Sequence, residues 1–395
     1  MTHTEQALKI QKIQTRMADH GVESILLRSI PAFLYLTDTV MQGFIYLPKE
    51  GEPLWFLERE SRISPTEDPS KIFRIRKPED IPALLLRQGF SVGEGTALEL
   101  GQMPVTDFIR LSKLSPTGKV SSLDGSQILR EARMIKTDRE QTEMRRLAQI
   151  QMEIYRIAPA LFRPGMTDQE WQHEIEHQMR RRGSIGLFRT FGWRMESFQG
   201  NVITGDSAGA PAPYDFAMGG AGDTAYPFGA SGTVIQSGHT VMADMAGNYG
   251  VYQTDLTRTY TLGKPTAESI AAHRVSMDIH EWFMANVKPG FSISEVYKYA
   301  VSEAKKSGFG EYFMGTPEWK SKFVGHGLGI EINELPVLTE RWKGTFEEGM
   351  AIALEPKFVL PETGPVGAEN TYLITSSGVE NITPLPMDLI PLPEE

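Results

Sequence analysis

Val241-Met242-Ala243-Asp244 and Tyr252-Gln253-Thr254-Asp255-Leu256-Thr257-Arg258-Thr259 form the stretch that decides the fold. The first segment reads as a buried strand ending on a carboxylate. Asn248-Tyr249-Gly250 supplies turn chemistry, and the second segment reads as the returning strand. The pattern recurs downstream in Ala351-Ile352-Ala353-Leu354-Glu355-Pro356, then Glu369-Asn370-Thr371-Tyr372-Leu373-Ile374. A charged acid at the end of an apolar run is costly unless it is paired or bound to a cation. One such acid has a bland explanation, a hydrogen-bonded structural carboxylate. Four of them, with His326 in the Gly-rich turn Gly325-His326-Gly327-Leu328-Gly329, predict cations. Asp244, Asp255, His326, Glu355 and Glu369 supply enough donors for two divalent ions sharing a bridging water.

Outward from these hairpins, the chain carries a weak internal repeat. Pro164-Gly165-Met166-Thr167 opens one helix and Pro289-Gly290-Phe291-Ser292 opens another. Thr167 and Ser292 are the natural N-caps, and Gly183 and Gly308 close the two helices. Each copy leads to a hairpin bearing two of the carboxylates. Two such halves facing each other would set the four acids at a central seam.

Upstream, Thr137 and Glu140 make a capping box that opens a long helix reaching about Phe162. The domain break is placed there, giving domains over residues 1–136 and 137–395. The first begins with an amphipathic helix over residues 5–20, its apolar positions being Ala7, Leu8, Ile10, Ile13 and Met17. Strands follow at Ser24-Ile25-Leu26-Leu27 and Phe44-Ile45-Tyr46-Leu47.

The bulk numbers narrow the function. The chain has 395 residues, 40% of them hydrophobic and 23% charged, which is globular and too long for one ordinary core. A formal charge of -10 argues against nucleic-acid binding. With no cysteine, disulfides, thiolate ligands and a cysteine nucleophile are excluded. No run approaches a membrane span, and residues 1–21 lack the apolar core of a signal peptide, so a cytoplasmic protein is expected.

Asp244 through Thr259, Gly325 through Gly329, Glu355-Pro356 and Glu369 resemble the dinuclear metallopeptidases of the pita-bread fold. These include the Xaa-Pro aminopeptidases, the prolidases and methionine aminopeptidase. The N-terminal part resembles the creatinase/prolidase N-terminal domain, so the resemblance spans the whole chain. It implies an α/β N-terminal domain and an α+β pita-bread catalytic domain with a pseudo-twofold repeat. It also implies roles. Asp244 holds a first metal, Asp255 and Glu369 bridge both, and His326 and Glu355 hold the second. Glu355 and His326 are the catalytic assignments, with Glu355 shuttling the proton of the bridging water. An oxygen-rich set with one His suits Mn, Co, Fe or Zn. A homodimer is implied, since the N-terminal domain in this family often reaches a partner's active site.

Three positions depart from the Xaa-Pro peptidase pattern. Asn333 stands where a His usually follows the metal His. Ala225-Tyr226-Pro227-Phe228 lacks a His expected before the first Asp. Gly367 replaces an Arg two residues before the last Glu. These groups grip the scissile carbonyl, so their loss bears on substrate more than on metal. The elaborated stretch from Asp206 to Gly222 reads either as remodelled pocket, with Tyr214, Asp215 and Asn333 as polar substrate contacts, or as a structural surface loop. A second motif, His173-Glu174-Ile175-Glu176-His177, matches the zinc-protease helix pattern. No third ligand follows it, and Trp171, Ile175 and Met179 form the helix's apolar stripe, which turns both His toward solvent.

The expected activity is metal-dependent hydrolysis of an amide in a short peptide or small molecule. An Xaa-Pro peptidase of aminopeptidase P or prolidase type leads. The rivals are an enzyme of the same fold acting on a non-peptide small molecule, as amidohydrolase or lyase, and a non-catalytic binding module. No nucleic-acid or membrane partner is expected.

Overall fold

The structure, a computed structural model, describes residues 1–59, 61–192, 199–213 and 218–394. The chain forms two compact units. One is residues 1–134 with a short piece beginning at Phe191, and the other is the remainder.

The first unit runs α1 (His3–Asp19), β1 (Ser24–Leu27), α2 (Ile30–Thr37), β2 (Gly43–Pro48), β3 (Leu54–Leu57), β4 (Ile72–Arg74), α3 (Ile81–Arg87), β5 (Thr96–Leu98), α4 (Val105–Ser112) and α5 (Gly125–Met134). Its sheet has the order β4-β3-β2-β1-β5 and mixes parallel and antiparallel pairs. Every residue of β1, β2 and β3 is buried, as expected for strands covered on both faces. Both expected strands are present. Helix α1 is also where the spacing placed it, but its buried face differs. Leu8 is exposed, while Lys9 is buried beside Glu5 and over the Tyr35 ring. A paired ammonium with an apolar stem can replace a leucine at such a contact.

The second unit runs α6 (Asp138–Leu161), α7 (Asp168–Arg181), β6 (Gly200–Thr204), β7 (Thr240–Gly247), β8 (Thr254–Thr261), α8 (Ala267–Asn286), α9 (Ile293–Lys306), β9 (Gly325–Gly327), β10 (Glu334–Val337), β11 (Ala351–Leu354), β12 (Lys357–Leu360), β13 (Gly364–Gly367), β14 (Asn370–Thr375), β15 (Gly378–Asn381) and β16 (Ile390–Pro391). The capping box of Thr137 with Glu140 forms, and Thr167, read as an N-cap, makes a second box with Glu170. Ser292 sits at the N-cap of α9 without a capping bond, its hydroxyl facing Ser294 instead. Helices α6 and α7 cover β6, β7 and β8 through Tyr155, Trp171, Ile175, Val241, Leu256 and Tyr260. On α7, His173 and His177 are exposed while Trp171, Ile175 and Met179 are buried, as the apolar stripe required.

Two sheets carry the acids. One has the order β16-β8-β7-β6 and the other β10-β9-β11-β14-β15. They meet at an antiparallel bridge between Thr257 and Glu369. The two hairpins therefore face each other at a seam, with the second interrupted by the β12–β13 ribbon.

Helix α8 supports that seam from below. His273, Ser276 and His280 fall on one face and are all buried. Gly367 donates its N–H to His273 Nδ1 at 3.1 Å. Ser276 donates to the Pro356 carbonyl at 2.6 Å and accepts from the Ala368 N–H at 3.1 Å. His280 donates from Nε2 to the Ala368 carbonyl at 3.0 Å and accepts at Nδ1 from the Tyr372 hydroxyl at 2.8 Å. Sequence reading found no role for these histidines, because it looked only for ligand spacing. The signal was the i, i+3, i+7 spacing of polar residues on an otherwise buried helix.

His280 gives a pH prediction. Burial, above all, pushes its imidazole down to about 3 from 6.5. The folded pKa is depressed, so the stabilising contribution is full above about 6.5 and is lost as pH falls toward about 3. The loss in that window is about 1.4 kcal/mol per pH unit. His280→Gln should be less stable near neutrality, yet lose stability less steeply between about pH 6 and 4. Urea midpoints across that range measure this, and parallel slopes for the two proteins would refute it.

Candidate metal centre

The pleat places the acids. Asp244 on β7 lies opposite Thr257 on β8, and Ala246 lies opposite Asp255. Asp255 and Thr257 are two residues apart and so share a face of β8. Glu369 enters just before β14, where its N–H donates to the Thr257 carbonyl at 3.1 Å. Thr371 in turn donates its hydroxyl to the Asp255 carbonyl at 2.9 Å. Glu355 follows β11, its N–H donating to the Val324 carbonyl at 3.0 Å.

His326 corrects one expectation. The Gly325–Gly329 segment begins as the strand β9, between β10 and β11, and not as a turn. Glycine is required there by close approach: a Cβ on Gly327 would stand 2.0 Å from the Leu335 carbonyl oxygen. In this strand His326 pairs with Ala353, two residues before Glu355. Its Nδ1 faces the Gly327 carbonyl at 3.1 Å. A carbonyl only accepts, so Nδ1 carries the hydrogen and Nε2 turns its lone pair toward the acids. Nε2 stands 3.7 Å from Asp255 Oδ2 and 3.5 Å from Glu355 Oε1.

All five sequence-predicted donors therefore converge. Among the described residues their ligand atoms form two triads, Asp255-His326-Glu369 and Asp244-Glu355-Glu369, with the atoms of each triad within 4.8 Å of one another. Glu369 belongs to both. Its Oε1 is buried with no hydrogen-bond partner. Burial first, and then Asp255, push its carboxyl well above the usual range. Burial, and then Asp244 and Glu355, do the same to Asp255. Thr257 Oγ1 lies 2.8 Å from Asp244 Oδ1 and 2.7 Å from Glu369 Oε2. A hydroxyl has one hydrogen to give, so it cannot fully satisfy two carboxylates. Together, an orphaned oxygen, a lone pair set against acids and crowded carboxyls are what a divalent cation would resolve. The His-containing triad fits one.

Sequence reading missed one member of the centre, Lys357. Its side chain is 1% exposed, and its Nζ lies 2.7 Å from Asp244 Oδ2 and 2.8 Å from Glu355 Oε2. Burial disfavours this ammonium, but Asp244, Glu355 and Glu369 outweigh burial and hold it charged well above its ordinary value. The available signal was period two: Glu355 and Lys357 are two residues apart at the start of a strand.

A cavity of about 270 Å³ opens onto the acids. Its walls are largely apolar, with Phe188, Met218, Phe228, Phe323, Ile332 and Val337, and Asn201 and Asn333 add amides. Asn333 is thus beside the site. Met218 from the elaborated segment and Phe228 just beyond it also line the cavity. Tyr214 and Asp215 lie outside the described residues. Gly367 adopts φ +140°, and a Cβ there would stand 2.5 Å from the Pro356 carbonyl oxygen, so no arginine fits that backbone. Its partner across the β12–β13 ribbon is Lys357.

Comparison with known proteins agrees with this architecture. Residues 142–376 match the model of metallopeptidase family M24, and residues 9–135 match the creatinase/prolidase N-terminal domain. An Xaa-Pro dipeptidase of Pyrococcus horikoshii is 24% identical over 97% of this chain and 98% of its own length. An uncharacterized peptidase of Bacillus subtilis is 28% identical over 67% of this chain and 66% of its own. Among solved structures, an Xaa-Pro dipeptidase from Bacillus anthracis shares the fold with a TM-score of 0.79 at 24% identity, covering 98% of this chain and 100% of the other. An X-Pro aminopeptidase from Thermotoga maritima does so with a TM-score of 0.76 at 19% identity, covering 97% and 99%. No helix among the described residues is long and apolar enough to cross a membrane. The chain belongs to metallopeptidase family M24, with a creatinase/prolidase-type N-terminal domain.

Proposed function

We propose that this M24 metallopeptidase is a metal-dependent hydrolase of short Xaa-Pro peptides, of the prolidase or aminopeptidase P type. One observation carries the proposal: His326 Nε2, Asp255, Glu355 and the unpartnered Oε1 of Glu369 converge on one cavity. The relatives named Xaa-Pro dipeptidase, matched along almost the whole chain, support the substrate class. Asp255, His326, Glu355 and Glu369 would hold a divalent ion, with Mn, Co, Fe or Zn suited to such donors. When bound, the ion would activate a water and polarise the scissile carbonyl.

The chain's own residues do the rest. Glu355 is assigned to accept a proton and return it to the leaving nitrogen. Its reach is fixed by β11 and by the Ser276 bond to Pro356. The apolar walls hold the peptide and exclude water from the acids, and Asn333 offers an amide to its backbone. The expectation of two cations meets a cation already present among the acids, the Lys357 ammonium. We include a homodimer in the proposal, on the family resemblance of the N-terminal domain.

Asn333 and Gly367, which stand where the resemblance sets a His and an Arg, favour a second reading. In it the same centre acts on a non-peptide amide or a lyase substrate. Chelated protein reloaded with Mn, Co or Zn should release proline from Xaa-Pro dipeptides or longer Xaa-Pro peptides. Release only from dipeptides would define a dipeptidase. A metal-loaded protein that leaves the whole panel intact would sink the peptidase and leave the second reading.

A further inference from the structure

Lys357 stands against the same groups that one of two metal ions would require. Its Nζ contacts Asp244 Oδ2 at 2.7 Å, Glu355 Oε2 at 2.8 Å and Glu369 Oε2 at 3.5 Å. These three carboxylates are one of the two converging triads. Asp244, which belongs only to that triad, has Oδ2 on the Lys357 ammonium and Oδ1 on the Thr257 hydroxyl, whose one hydrogen it shares with Glu369. The other triad is different. It keeps Glu369 Oε1 without a partner and turns the His326 lone pair into the site.

Lys357 is also not a surface side chain that happens to reach inward. It is fully enclosed, and its backbone is fixed in β12 by pairing with Gly367. To withdraw from the triad it would have to bury its ammonium elsewhere without acids around it.

We infer that the chain binds a single divalent cation, held by Asp255, His326, Glu355 and Glu369, and that Lys357 permanently occupies the place of a second. This rests on the metal-dependent reading above and fixes its stoichiometry. Asp244 is thereby a partner of Lys357 rather than a metal ligand.

The test is metal content at saturation. Full-length protein is stripped with chelator, equilibrated with Mn(II) and then with Zn(II), and assayed for metal per chain by mass spectrometry. Wild type should hold one ion, and its Mn(II) electron paramagnetic resonance should be that of an isolated ion. Lys357→Gly should rise to two ions with an exchange-coupled spectrum, and Lys357→Arg should stay at one. Two ions in wild type, or a coupled spectrum, would overturn the inference while leaving the metal-dependent reading intact. No ion in wild type would overturn both. A folded Lys357→Gly that still holds one ion would overturn the role of Lys357. Should that variant fail to fold, the wild-type count and spectrum decide alone.

Discussion

Replacing Glu369 with Gln is expected to leave a folded chain that has lost metal binding and at least about 10³-fold of its turnover, about 4 kcal/mol of transition-state stabilisation. Glu369 is the only residue common to both donor triads. Its orphaned Oε1 is the oxygen most plainly awaiting a cation. An amide of the same shape keeps the van der Waals contacts but removes the charge. Without metal the change should be neutral or stabilising, because burial already opposes ionisation of this carboxyl. The pairing of lost activity with undiminished stability of the chelated protein is the signature. Chemical denaturation and metal titration of both proteins measure it. A variant that still binds one equivalent of metal and keeps about a tenth of wild-type turnover would show that Glu369 is not a ligand.

The second large effect is on stability. Arg258→Met should cost about 3–5 kcal/mol. Arg258 is fully buried, and all five of its N–H donors are used. Four go to the carbonyls of Pro386, Thr257, Glu369 and Leu385, and one goes to Asn370 Oδ1, at 2.7 to 2.9 Å. Truncation leaves those acceptors buried and unpaired. It also frees the Glu369 carbonyl, so metal affinity should fall along with stability. Arg258→Lys should rescue only part, since an ammonium has three donors and no planar fork. A urea midpoint giving less than about 1 kcal/mol for Arg258→Met would refute the clamp.

Much of this was legible along the chain. Asp244, Asp255, Glu355 and Glu369 each end or flank an apolar run, where an unpaired acid is too costly to be accidental. The capping boxes at Thr137 and Thr167 have fixed spacing, because a cap satisfies N–H groups only three residues away. The exposed pair His173 and His177 was separable from a real site because helical period alone decides which face is wet. Leu8 and Lys9 mark a failure. Side-chain apolarity favoured Leu8, and only the position of Glu5 and the Tyr35 ring made Lys9 the buried residue.

The sequence by itself pointed to the four acids and His326 as one cluster, to the family and to the repeated helix-and-hairpin plan, because these rest on local period and on residue chemistry. Tertiary structure alone decided what surrounds the donors. His273, Ser276 and His280 come under the acids because α8 packs there, more than eighty residues upstream of most of the backbone they hold. Lys357 reads as an ordinary strand residue until β12 pairs with β13 and directs it inward among Asp244, Glu355 and Glu369. Electrostatic energy falls off with distance in space and not along the chain. A cation's partners are therefore set by the fold, even when each of them can be named from the sequence.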